Sequence, residues 1–120
     1  MDEKELAKES RKQRRLEALG TNHPRCGMCG FNRWQAIEAH HPADHGRDEA
    51  TVLLCRNCHR LVSDDQKDHP AFDPEANTML DCIGHFLLGL ADMLRHIVER
   101  LYTFGLALVE RAAPVRGDAK

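Results

Sequence analysis

The chain lacks an uncharged apolar run that is long enough to span a membrane. A span needs roughly 20 apolar residues, whereas the most apolar region of these 120 residues is interrupted by Asp92, Arg95 and Glu99. An excess of positive charge is also missing, because 17 Lys and Arg residues face 19 Asp and Glu residues, for a formal net charge of −2. We therefore expect no membrane partner, and any binding of nucleic acid must be local rather than a bulk electrostatic effect.

A signal peptide is the second missing feature. We therefore expect a cytoplasmic protein, and a reducing compartment disfavours structural disulfides. This matters for the five cysteines, because four of them form two Cys-x-x-Cys pairs, Cys26 with Cys29 and Cys55 with Cys58. Two such pairs supply the four thiolates of a tetrahedral structural Zn²⁺ site, with a redox pair as the alternative. The fifth cysteine, Cys82, is predicted to be a small buried residue on an apolar helix face.

Histidines lie between and beside the two cysteine pairs. The segments EAHHP at positions 38–42 and VLLCRNCH at positions 52–59 resemble the cysteine-bearing version of the HNH endonuclease family. The resemblance covers residues 24 to 69 and implies a zinc-stapled ββα-metal fold, made of a hairpin and one helix, that hydrolyses phosphodiester bonds in DNA. It implies that His40 and His59 bind a catalytic divalent cation such as Mg²⁺, Mn²⁺ or Ni²⁺. It further implies that His41 is the general base and that Glu38 is the acidic residue supporting the site.

One position departs from the pattern of this family. The family carries an asparagine that organises the loop between the two strands, and this chain has Ala50 at that position. His45 or Asp48 in the same loop could substitute for it. The alternative to a nuclease is therefore a catalytically inactive zinc-binding module that recognises nucleic acid or a protein partner. In such a module the histidines would be ordinary polar loop residues.

These residue types suit phosphodiester hydrolysis for reasons that do not depend on the resemblance. A histidine can take a proton from water near neutral pH, which is the task expected of His41. A divalent ion held by few protein ligands, such as His40 and His59, keeps positions open for phosphate and water. Adjacent residues in a strand point to opposite faces, so a regular strand would separate the side chains of His40 and His41. These two histidines should therefore lie at a strand end or bend, where Pro42 interrupts the strand. Two alternative roles are open for these histidines. His41 is itself a metal ligand, or His59 donates a hydrogen bond to one of the cysteine thiolates.

The order of segments predicts a small α+β fold. The expected divisions are a polar, basic N-terminal helix (1–20), the metal module (21–72), a helical oligomerisation segment (73–113) and a disordered tail (114–120). The first helix should end at Gly20, because no Gly or Pro precedes that residue. Within the module we predict strands at 31–39 and 51–54, a loop at 42–50, a helix from Cys58 and a linker at 63–73. The module can bury little core, so metal should contribute to its folding energy.

Basic side chains are concentrated in the first helix and around the second cysteine pair. The candidates for contacts with phosphates are Arg11, Lys12, Arg14, Arg15, Arg56 and Arg60. The alternative for the cluster in the first helix is a solvated face with salt bridges to Glu9 and Glu17. Net charge does not distinguish between these two interpretations.

The C-terminal segment carries a heptad pattern. Asp73 and Pro74 predict a helix start, and the helix should end before Pro114. Apolar residues then follow one another at alternating spacings of three and four: Leu80, Ile83, Leu87, Leu90, Leu94, Ile97, Leu101, Phe104 and Leu108. One helix of this length extends beyond the metal module, so its apolar stripe needs a partner.

We expect that partner to be a second copy of the chain, which gives a homodimer through a coiled coil or helical bundle. A helical hairpin hinged near Gly89 or Gly105 is a second arrangement. The alternative is a monomer in which one helix folds back over the metal module. His85 and His96 fall on this helix and are expected at its surface or at an interface.

Overall fold

The structure is a computed structural model that describes residues 2–44, 49–71 and 73–115. Within these ranges the chain forms three α-helices and a two-stranded antiparallel sheet, which confirms the α+β class. The elements are α1 (Glu3–Leu19), a 3₁₀ turn (Trp34–Ala36), β1 (Ile37–His40), β2 (Val52–Cys55), α2 (Arg56–Gln66) and α3 (Thr78–Ala112). His45 and Asp48, the candidates to replace the missing asparagine, lie outside the described residues.

Helix α1 has the boundaries that its sequence predicts. The Asp2 side chain accepts a hydrogen bond from the backbone N–H of Glu5 at 2.9 Å, which satisfies one of the free donors at a helix start. At the other end, Gly20 adopts a left-handed conformation with φ of 76°, which glycine reaches without a steric penalty. Leu16 is the buried residue of this helix. Arg15 donates a hydrogen bond from its guanidinium to the Ile37 carbonyl, which joins α1 to β1.

The sheet is shorter than predicted. In its register Ile37 lies opposite Cys55 and His40 lies opposite Val52. The expectation of a strand from residue 31 is wrong, because the Phe31 carbonyl accepts a hydrogen bond from the Cys26 N–H at 2.8 Å and thereby closes the first cysteine loop. The chain enters β1 only after the 3₁₀ turn. Ile37 and Leu54 are fully buried and form the centre of the core.

Helix α2 begins at Arg56, two residues before the predicted start, and continues to Gln66. The predicted linker is therefore wrong for residues 63–66. Two tertiary contacts explain the longer helix: Val62 is buried in the core, and the Gln66 side chain donates a hydrogen bond to the His41 carbonyl at 2.9 Å. Packing stabilises a helical end whose own sequence is polar.

Helix α3 is one continuous helix of 35 residues, about 52 Å long at a rise of 1.5 Å per residue. The alternative of a hairpin hinged at Gly89 or Gly105 is therefore wrong. The helix starts at Thr78 and not at Asp73, because Asn77 is the residue whose side chain caps it, accepting from the Leu80 N–H at 3.0 Å. Asp73 instead forms a local turn by accepting a hydrogen bond from the Glu75 N–H.

The face of α3 that packs on the rest of the chain is mainly polar. Its buried residues are His85, Gly89, Asp92 and Met93. His69 donates to the Asp92 carboxylate at 2.6 Å, and His96 donates to the Asp65 carboxylate at 2.7 Å, so both carboxylates have a partner. The ring nitrogens of His85 face the carbonyl oxygens of Asp81 and Pro70. The expectation that His85 lies at the surface is wrong.

The apolar residues of α3 lie mostly on its other faces. Met93 and the half-buried Ile97 pack against the core, whereas residues 101–115 are all exposed. Cys82, predicted to be buried, is half-buried. Among the described residues, no helix combines the length and the hydrophobicity needed to cross a membrane.

Candidate metal centre

The four cysteines of the two Cys-x-x-Cys pairs converge on one point. The sulfur atoms of Cys26, Cys29, Cys55 and Cys58 all lie within 4.8 Å of one another, and those of Cys29 and Cys55 are 3.7 Å apart. In a tetrahedral site with Zn–S bonds of about 2.3 Å, the sulfurs are about 3.8 Å apart. The tetrad can therefore bind a metal such as zinc, in agreement with the prediction from spacing.

The elements around the tetrad hold the sulfurs in this arrangement. Cys55 ends β2 and caps α2, and its sulfur accepts from the Cys58 N–H at 3.5 Å. In the first loop the Cys26 sulfur accepts from the Met28 N–H at 3.4 Å. The Gly27 N–H donates to the Leu53 carbonyl at 2.7 Å, which ties this loop to β2. Sheet formation thus brings the two cysteine pairs together.

The pKa values of the thiols differ within the tetrad. Burial raises the pKa of Cys26, but hydrogen bonds with Cys55, Cys29 and Met28 outweigh it and lower that pKa to about 7. Burial, together with the neighbouring thiols, raises the pKa of Cys58 to about 12, although Arg100 acts in the opposite direction. One thiol of such a cluster therefore loses its proton readily. Deprotonation of the remaining thiols requires a cation that offsets the accumulating negative charge.

Arg100 supplies part of that positive charge from α3. Its guanidinium donates a hydrogen bond to the Cys58 sulfur at 3.2 Å, across 42 positions of sequence. Four thiolates around a divalent ion leave a net negative charge, and a buried charge requires a partner. Arg100 therefore acts as a neighbour of the metal ligands that also attaches α3 to the tetrad.

A second group of side chains lies on β1 and α2. Glu38 and His40 are two residues apart on β1 and share one face of the strand. The Glu38 carboxylate lies 3.2 Å from Nδ1 of His59 on α2, and the rings of His40 and His59 meet edge to face with centroids 5.1 Å apart. Three of the predicted site residues are therefore brought together.

His40 is the most constrained residue of this group. It is 2% exposed, and its Nε2 atom has no hydrogen-bond partner. Burial, with smaller contributions from the nearby His59 and His41, lowers the pKa of His40 to about 4. The imidazole is therefore neutral at physiological pH, which is the form that ligates metal ions.

His41 follows the strand directly, as its motif predicts. β1 ends at His40, and the chain then turns, with the Asp44 N–H donating to the His41 carbonyl at 3.0 Å. Asp44 has a positive φ of 72°. The His41 side chain is half-buried. Ala50 is exposed just before β2.

The basic residues fall into three groups. Arg56 and Arg60 line an open cavity of about 630 Å³ that also reaches Glu38, Arg100 and three of the four cysteines, Cys29, Cys55 and Cys58. On α1, Arg11 and Arg14 are exposed and Lys12 is half-buried. Arg15 is held by the Ile37 carbonyl and thus contributes to the fold.

Sequence reasoning did not identify Arg100 and Gln66 as neighbours of the two sites. The sequence does contain a pattern that indicates the position of Arg100. One helix face is formed by residues at spacings of three and four, namely His85, Gly89, Asp92, His96 and Arg100. Comparison with models of protein families, with curated proteins and with solved structures found no match for this chain.

Proposed function

We propose that the chain is a metal-dependent DNA endonuclease of the HNH type, with a ββα-metal fold made of β1, β2 and α2. The observation that carries this proposal is the unpartnered Nε2 of His40, buried beside His59 and Glu38. A buried polar atom without a partner costs roughly 1–3 kcal/mol. Such a cost is understandable where the atom serves as a ligand.

The donor set fits a divalent cation. His40 is neutral and His59 lies against it, while Glu38 accepts from His59 and orients its ring. We assign His40 and His59 as the ligands, with Glu38 as their acidic support. Bound there, a cation such as Mg²⁺, Mn²⁺ or Ni²⁺ would supply positive charge that stabilises the charge developing on the phosphate.

His41 is the group that we assign to proton transfer. It is adjacent to His40 but lies just beyond the end of β1, in the turn that the Asp44 N–H closes on the His41 carbonyl. Its imidazole would accept a proton from the attacking water. The Gln66 side chain donates to the backbone carbonyl of His41 and thereby fixes the turn.

We assign Arg56 and Arg60 to binding of the substrate backbone. Arg56 and Arg60 stand at the start of α2, in the cavity that Glu38 also lines. Arginine binds phosphate oxygens through paired N–H donors, and a helix start adds partial positive charge. With a net charge of −2 over the chain, these local cations are the ones that we expect to hold DNA. Exposed Arg11 and Arg14 on α1 could extend the contact.

The second candidate is a zinc-binding module that recognises nucleic acid or a protein without cleaving it. The observation in its favour is Ala50, whose side chain cannot form the hydrogen bonds of the asparagine that the HNH family carries there. The tetrad and the basic cavity would serve both candidates equally. Cleavage is therefore the property that distinguishes them.

The test is cleavage of supercoiled plasmid by the zinc-loaded chain, with Mg²⁺, Mn²⁺ or Ni²⁺ added in turn. We expect cation-dependent nicking that His41→Ala abolishes, with retention of zinc and helical content. The matched control is His23→Ala, an exposed histidine before Pro24, which should cleave as the native chain does. A folded, zinc-loaded chain that cleaves under none of these conditions would favour the binding module.

A further inference from the structure

Helix α3 presents an apolar stripe on the side away from the rest of the chain. Leu87, Leu94, Leu101 and Leu108 recur every seven residues and are 57%, 51%, 65% and 66% exposed. With 3.6 residues per turn, these leucines lie on the opposite side of the helix axis from the buried His85, Gly89 and Asp92. The stripe is therefore not covered by the part of the chain that packs on α3.

Small residues occupy the positions between these leucines. Four residues after each leucine stand, in order, Ala91, Val98, Gly105 and Ala112, all exposed. At Gly105 a Cβ atom would meet nothing within 4 Å. The outward stripe is thus a seven-residue repeat in which one position is always leucine and the other is small or only moderately large.

We propose that this stripe is the interface of a homodimer in which two α3 helices pack antiparallel. A two-fold axis near residues 99 and 100 sets each leucine against a smaller residue of the partner. The four layers are Leu87 with Ala112, Leu94 with Gly105, Leu101 with Val98, and Leu108 with Ala91. Because each layer pairs one large side chain with one small side chain, the distance between the two helix axes can stay constant along the interface.

A parallel pairing fits the same repeat poorly. It would set Leu94 against Leu94 and Gly105 against Gly105, so wide layers would alternate with layers that leave a void. Voids and overpacked layers each cost stability. The register of large against small side chains thus favours the antiparallel orientation and identifies a second copy of this chain as the occupant.

The exposed area is sufficient for a stable dimer. Burying one large apolar side chain removes roughly 60–120 Å² of surface from water. Six such residues lie on this side of α3 within the length that the antiparallel partner covers: Leu87, Leu94, Val98, Leu101, Leu108 and Val109. Together they would bury about 540 Å² per chain, or roughly 1,100 Å² over both chains, which clears the roughly 1,000 Å² expected of a specific interface.

The first test measures mass by light scattering at micromolar concentration. We expect twice the chain mass of 13.6 kDa for the native chain and the monomer mass for Leu101→Glu. The matched control is Leu6→Glu, an exposed leucine on α1, which should remain dimeric. A folded native chain of monomer mass, or a dimer that persists in Leu101→Glu, would overturn the proposal. Monomeric chain that binds lipid vesicles through α3 would overturn it as well.

A second variant separates dimerisation from folding. Gly105→Leu replaces a poor helix former with a good one, so the helix itself should not suffer. In the antiparallel layers, however, it would stand against Leu94 of the partner and overpack the interface. We expect the dimer dissociation constant to rise about tenfold or more, with helical content unchanged. An unchanged or lower dissociation constant would refute the antiparallel layers.

Orientation can be examined with cysteine pairs. The double variant Leu94→Cys, Gly105→Cys should form a disulfide-linked dimer on mild oxidation, because those positions face one another across the two-fold axis. Leu94→Cys alone should not form one. Efficient linkage of the Leu94→Cys single variant would indicate a parallel pair and would contradict the proposal.

Discussion

Gly89 of α3 lies directly against Pro42, so that a Cβ atom at position 89 would overlap the Pro42 carbonyl oxygen. The backbone of α3 therefore touches the turn that carries His41. Only glycine permits this approach, since a side chain at position 89 would meet backbone atoms of Pro42, which have no freedom to move aside. The position of α3 is thus connected to the geometry of the candidate catalytic pair.

The first prediction concerns this contact. Gly89→Ala should destabilise the chain by about 1–3 kcal/mol, because the methyl group forces α3 away from the turn. Displacing the turn should also lower any cleavage activity. The matched control is Gly84→Ala on the same helix, where a Cβ would meet nothing within 4 Å. That variant should gain about 0.5–1 kcal/mol from higher helix propensity. Equal denaturation midpoints for the two variants would contradict the close approach.

The second prediction concerns zinc. Protein purified without chelator should hold one tightly bound zinc per chain, because the four sulfurs already lie within 4.8 Å of one another. Cys26→Ser or Cys58→Ser should lose the metal and unfold the small core that these cysteines share with Ile37 and Leu54. Cys82→Ser should keep both metal and fold. Elemental analysis and circular dichroism measure the two effects, and a folded chain with far less than one equivalent of zinc would refute the assignment.

The third prediction tests the role of Arg100. Arg100→Met removes the cation that donates to the Cys58 sulfur but keeps most of the side-chain volume. Residues beside metal ligands contribute about 10- to 100-fold to metal affinity, so zinc should pass to a competing chelator at a correspondingly lower chelator concentration. Arg95→Met is the control, because Arg95 is exposed and pairs with Asp92 rather than with the cysteines. Identical chelator titrations for the two variants would show that Arg100 does not support the site.

The fourth prediction separates the two metal sites. His40→Ala and His59→Ala should each weaken binding of added Mn²⁺ or Ni²⁺ by tenfold or more, about 1.4 kcal/mol, and leave the zinc content at one equivalent. Isothermal titration of the zinc-loaded chain measures the first quantity. Binding of the added cation with unchanged affinity in both variants would remove His40 and His59 from the proposed site.

The local features of the fold were predictable, because short-range spacing determines them. The two cysteine pairs, the end of α1 at Gly20 and the end of the strand at His40 each follow from a few neighbouring residues. The length of α2 was not predictable, since its polar end is held by Val62 in the core and by Gln66 against a distant turn. Such contacts depend on residues far away in the sequence.

The orientation of α3 was the larger omission. Its heptad pattern predicted that the apolar stripe packs against a second copy of the chain, with packing over the metal module as the alternative, and Ile97 and Met93 do reach the core. The face that covers the module, however, is built from groups whose partners come from other elements, such as Asp92 with His69 and His96 with Asp65. A single helix does not reveal in its sequence which distant residues will satisfy its polar groups.

The two faces of α3 should differ in how freely their residues can be exchanged. On the inner face each position supplies a particular atom: the hydrogen of Gly89 next to Pro42, the carboxylate of Asp92 for His69, and the guanidinium of Arg100 for Cys58. On the outer face only volume and apolarity matter. Random mutagenesis that selects for a folded, zinc-loaded dimer should therefore leave the inner face nearly unchanged, while the outer leucines drift among Ile, Met and Val.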